Sequence, residues 1–62
     1  MPKEQEVREV LARFRREGWL EEHGKGSHVV FRKDGLTISV PTSKKELKTG
    51  TYRKIAKTAG WL

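Results

Sequence analysis

His28 follows Lys25, Gly26 and Ser27, and it is the residue of this sequence best suited to move a proton. An imidazole can take or give one near neutral pH. Lys25 lies three residues before it and Arg32 four after, while Lys44, Lys45 and Lys48 come later in the chain. A proton-transfer group among cations suits a ribose phosphodiester. A base removes the 2′-hydroxyl proton, the oxygen attacks the neighbouring phosphorus, and Lys or Arg stabilises the developing charge. Such chemistry needs no metal, and DNA, lacking that hydroxyl, is spared. A lone histidine on an exposed strand is most often an ordinary solvated residue, so position alone does not assign it to catalysis. His23, among Glu21 and Glu22, reads as an exposed, salt-bridged residue. The two histidines are five positions apart with no other ligand type clustered around them, which predicts no metal site.

Whatever positions these groups must be small. The 62 residues contain no cysteine, which excludes a disulfide framework, a thiolate zinc site and a Cys nucleophile. A chain of this length buries only about 60% of its unfolded surface, enough for one thin core and no deep cofactor cavity. One domain spanning residues 1–62 and no small-molecule cofactor are therefore expected. No apolar run approaches the roughly 20 residues of a membrane span, and the start Met1-Pro2-Lys3-Glu4 lacks a signal-peptide core, so the expected address is the cytoplasm. The net charge of +6 is unevenly placed. Residues 1–31 carry six basic and six acidic side chains, whereas residues 32–62 carry eight basic against Asp34 and Glu46. One-sided positive charge points to a polyanionic partner, nucleic acid first.

Five elements can be read from the pattern. Val7, Val10, Leu11 and Phe14 recur at helical spacing within Glu4 to Arg16, with Gly18 as the stop. Early glutamates and late arginines suit the helix dipole. Trp19 to His23 reads as an edge strand. Ser27 to Lys33 and Leu36 to Pro41 are stronger strands, joined by Asp34-Gly35, the sequence of a two-residue type I′ turn. That turn sets Lys33 against Leu36, Phe31 against Ile38 and Val29 against Val40. Val29, Phe31, Leu36, Ile38 and Val40 then share a core face, and His28, Val30, Arg32, Thr37 and Ser39 the other. Thr42 to Lys48 reads as a connecting loop, near the strand end where His28 sits. A last helix opens at Thr49 or Gly50 and runs to Ala59, with Tyr52, Ile55, Ala56 and Ala59 on one side and Gly60 after it. The predicted class is α+β: a three-stranded antiparallel sheet covered on one face by two helices, in the order α-β-β-β-α.

The last helix adds a second candidate contact. Free backbone N–H groups at Gly50-Thr51, a hydroxyl from Thr49 or Thr51, and the nearby Arg53 and Lys54 could meet a phosphate. An amphipathic helix with solubilising cations accounts for the same residues without any ligand. Trp19, Tyr52 and Trp61 read as packing residues rather than base-stacking platforms.

Lys25-Gly26-Ser27-His28, the Asp34-Gly35 hairpin, Val40-Pro41, Lys45-Glu46-Leu47-Lys48-Thr49-Gly50-Thr51 and Ile55-Ala56-Lys57-Thr58-Ala59-Gly60 together resemble the HicA toxin family, from about Val7 to Gly60. The resemblance implies a fold similar to the double-stranded-RNA-binding domain, mRNA interferase activity, and a catalytic histidine in the Gly-Ser-His motif, which maps onto His28. It also implies a HicB antitoxin that binds the toxin and blocks its active site. One departure stands out. Family members often carry a second histidine shortly after the proline ending strand three, where this chain reads Thr42-Ser43-Lys44.

The leading expectation is a metal-independent endoribonuclease acting through His28. Lys25, Gly26, Ser27, Arg32, Lys44, Lys45, Lys48, Thr51, Arg53 and Lys54 are the expected RNA contacts, and RNA and an antitoxin the expected partners. The alternatives are a non-catalytic RNA-binding module of the same fold and an interaction module for an acidic protein.

Overall fold

The computed structural model describes residues 5–62. Gln5–Glu6 form β1, Val7–Arg16 α1, Leu20–His23 β2, His28–Lys33 β3, Leu36–Pro41 β4, Glu46–Leu47 β5 and Thr49–Ala59 α2. Strands β2, β3 and β4 make an antiparallel sheet in that order, so the α-β-β-β-α plan is present. Asp34 and Gly35 both adopt positive φ, 50° and 79°, as a type I′ turn demands. The turn locks the expected register: Lys33 pairs Leu36, Phe31 pairs Ile38 and Val29 pairs Val40.

The core lies between that sheet and the two helices. Phe14 of α1 and Phe31 of β3 are fully buried and stacked, with ring centroids 4.4 Å apart and planes 11° from parallel. Trp19 meets Phe14 edge-on at 5.1 Å. Val7, Val10, Ile38, Val40, Leu47 and Ile55 complete the buried cluster. Trp61 folds back after the left-handed Gly60 C-cap and packs on Phe14 at 4.7 Å. Its Nε1 donates to Glu17 Oε1 at 2.8 Å, while the Arg13 guanidinium lies 4.2 Å from its ring centroid and also donates to Glu17. The C-terminus is thus tied to the end of α1 through the half-buried Trp61, while Leu62 stays exposed.

The structure corrects several expectations. The first helix begins at Val7, not Glu4, because Gln5 and Glu6 are extended and pair with Leu47 and Glu46. Glu4 itself lies outside the described residues. The supposed loop Thr42 to Lys48 contains β5, whose Leu47 is buried to 3% exposure in the core. A single apolar side chain in a polar run was enough to bend the chain inward. Leu36 is 43% exposed, since it sits at the hairpin tip beyond the helices. Trp19 precedes β2 and belongs to the core, so the edge strand starts one residue later; β3 likewise begins at His28 rather than Ser27. His23 is exposed but has no salt bridge among the described residues, because Arg15 takes Glu21 and Arg32 takes Glu22.

Two predictions follow from this packing. Phe14→Ala should cost about 3–5 kcal/mol, most of the stability available to a domain of this size, and chemical denaturation should show a largely unfolded variant. Glu17 is held below its ordinary carboxylate range, first by the Trp61 indole N–H and then by Arg13. Its folded-state value lies below its unfolded one, so its contribution is present above about pH 4.3 and is lost as pH falls through the folded value. The stability gap between wild type and Glu17→Gln should accordingly shrink between about pH 5 and pH 3 in denaturant titrations.

Candidate functional site

His28 opens β3 and is exposed, directly after the four-residue link that returns the chain from β2. The Gly24 N–H closes that link on the His28 carbonyl at 3.0 Å. A Cβ at Gly24 would stand 3.0 Å from the same carbonyl oxygen and 3.2 Å from Val30, so the tight return depends on glycine there. Across the sheet His28 pairs with Pro41. The Thr42 N–H donates to the Ser27 carbonyl, which marks His28–Pro41 as a non-hydrogen-bonded pair, the kind in which Cα atoms approach most closely. Proline's missing N–H therefore costs the ladder nothing at this position. The Thr42 hydroxyl donates to the same Ser27 carbonyl at 2.7 Å. Thr42 thus ties the basic segment to the residue before His28 through both its N–H and its hydroxyl.

That segment is fastened at its other end too. The Val7 N–H donates to the Lys45 carbonyl at 2.7 Å, β1 pairs with β5, and Leu47 anchors below. Lys44 and Lys45 are thus exposed on a short span held at Thr42 and at Lys45–Leu47, and Lys48 is the N-cap residue of α2. Thr51, half-buried, shares a groove of about 260 Å³ with Lys44, Lys48, Pro41, Ser43 and Leu47 and with one carboxylate, Glu46. Lys25, Gly26 and Ser27 are exposed in the link before His28. The fold therefore brings the start of β3 and the Thr42–Lys48 segment to one end of the sheet.

Other expected contacts lie apart. Arg32 is four residues along β3, about 13 Å from His28 at strand spacing, and its Nε lies 3.2 Å from Glu22. Arg53 and Lys54 are exposed on α2, beyond the groove. Among the described residues, every ion pair uses a glutamate from residues 6–22, with Arg8, Arg13, Arg15 or Arg32 as partner. Lys25, Lys44, Lys45 and Lys48 take part in none of them, so their charge stays available to an outside anion. No hydrogen bond orients the His28 imidazole within the described chain, and no three His, Asp or Glu side chains gather as metal ligands there. Thr42 and the β1–β5 pairing were not read from the sequence. Leu47, isolated among polar residues, was the one available signal.

A family model described as the HicA toxin of bacterial toxin–antitoxin systems matches residues 7–61, which places the chain among such toxins. The chain belongs to the HicA toxin family. A toxin of this kind has an antitoxin partner. No curated protein matches the chain. No helix among the described residues is long and apolar enough to cross a membrane.

The Val7 N–H can be tested directly. Val7 is the first residue of α1, where proline is tolerated, and Glu6 before it is already extended at φ −74° and ψ 135°, as a residue preceding proline must be. Val7→Pro should raise amide hydrogen exchange across residues 45–48 by about tenfold or more relative to Val7→Ala, which trims the side chain but keeps the donor. Equal protection in the two variants would show that the bond does not hold the segment.

Proposed function

We propose that this toxin is a metal-independent endoribonuclease that cuts mRNA in the cytoplasm through His28 and is silenced by a HicB-type antitoxin covering the same surface. The observation that carries the reading is the link between Ser27 and Thr42, which sets an exposed histidine beside a tethered run of unpaired lysines. The chemistry asks little of the fold. An imidazole takes the 2′-hydroxyl proton or gives one to the departing 5′-oxygen. The 2′-oxygen bonds to phosphorus as the 5′-oxygen leaves, forming a 2′,3′-cyclic phosphate and a free 5′-hydroxyl. Lys25, Lys44, Lys45 and Lys48 neutralise the non-bridging oxygens, whose charge grows in the transition state. An open surface suffices, because the substrate brings its own nucleophile. Gly26 and Ser27 shape the approach, and Thr51 with Arg53 and Lys54 extends the cationic track along α2. Arg32, held by Glu22, serves at most the far end of a long RNA.

One observation favours a second reading, a non-catalytic RNA-binding module: no hydrogen bond within the described chain fixes the imidazole, as triad-like sites do. A labelled mRNA incubated with EDTA separates the two. Wild type should cut it and His28→Ala should lose about 100-fold or more of the rate while retaining RNA affinity, with affinity falling steeply as salt rises. Equal cleavage by both proteins would remove His28 from the reaction, and binding without cleavage by either would favour the module.

A further inference from the structure

A cleft of about 550 Å³ opens between the start of α1 and residues 42–45, and the reading above leaves it unused. Its floor is apolar, made by buried Val7 and half-buried Leu11. Its rim is polar and net cationic, with Ser43, Lys44, Lys45 and Arg8 against the one carboxylate Glu6. The Arg8 side chain is 82% exposed and its ion pair with Glu6 is long, at 3.6 Å and solvent-screened, so its planar guanidinium can exchange that contact for one over a ligand. Thr42, also in the wall, carries the bond to Ser27, so the cleft reaches within one residue of His28.

We propose that this cleft holds the base of a nucleotide flanking the cut phosphate, which makes single-stranded RNA the substrate and excludes the intact duplex. The proposal rests on the ribonuclease reading and names the form of RNA that the site takes. Each part of the cleft has a use. The apolar floor covers one face of the base and the Arg8 guanidinium the other, the arrangement by which unpaired RNA bases are gripped. The Ser43 hydroxyl both donates and accepts at the base edge. Lys44 and Lys45 hold the attached phosphate. The size suits a single unstacked base with its sugar, being within the range of small-ligand sites. A paired base cannot enter, because its faces are covered by neighbours in the stack and its edge by its partner. A fold similar to a duplex-binding domain is here fitted to a splayed single strand.

The test uses the His28→Ala protein, so that binding is measured without cleavage. A fluorescent single-stranded RNA and the same strand annealed to its complement are titrated at one salt concentration. The single strand should bind at least about tenfold more tightly. Arg8→Ala should weaken single-strand binding about fivefold, and clearly more than Lys57→Ala, which removes the same charge from an exposed position on α2. Thermal melts of both variants verify folding, and Ser43→Leu, which fills the cleft from an exposed position, should reproduce the Arg8 effect. Equal affinity for strand and duplex, or equal losses for Arg8→Ala and Lys57→Ala, would overturn the subsite while leaving the ribonuclease reading intact. Failure of either RNA form to bind, with no cleavage by wild type, would overturn both. An Arg8→Ala protein that keeps its RNA affinity but loses that for purified antitoxin would assign the cleft to the protein partner instead.

Discussion

Phe14 stacked on Phe31 is the contact on which this small molecule depends. It joins the first helix to the central strand, and both rings are fully excluded from water. Trp19, arriving from the turn after α1, and Trp61, returning from α2, close around the same ring, so four aromatic residues from four parts of the chain share one centre. A thin core has no second layer to compensate for a gap. The open face of the sheet can then remain polar, because burial on one side supplies the apolar driving force.

The functional end is held by a different kind of force. The span carrying Lys44 and Lys45 lacks regular structure, and its cations repel one another. It is held instead by hydrogen bonds at Thr42 and Lys45 and by the burial of Leu47. Each is modest alone, but together they leave little freedom to the two or three residues between them. Most acidic side chains are placed so that they do not undo this. Those in ion pairs, Glu6, Glu17, Glu21 and Glu22, are held by Arg8, Arg13, Arg15 and Arg32, and Glu46 on β5 is the one carboxylate of the described residues outside those pairs that lies among these lysines. The lysines around the histidine keep their charge, which suits a partner that brings phosphates.

Much of this was written locally. The stripe Val7, Val10, Phe14 and the alternation Val29, Phe31 against Ile38, Val40 gave the helix and the hairpin, and Asp34-Gly35 set the register without tertiary help. His28 could be placed on the exposed face for the same reason. The errors share a cause as well. Gln5 and Glu6 have ordinary helical propensity and no strand pattern, yet they are extended because a distant partner strand, Glu46–Leu47, satisfies their backbone. Arg32 faces the same side as His28, but Glu22 on the neighbouring strand takes it.

The sequence by itself determined the class of fold, the hairpin register, the surplus of positive charge in its second half and the histidine that stands beside it, because each follows from period, turn geometry or composition. Tertiary structure alone decided which cations share the histidine's end of the sheet, that Thr42 fastens them to it and that a cleft lies beside them. Those outcomes turn on contacts between residues far apart in the chain, and only packing around the buried aromatic pair brings such residues together.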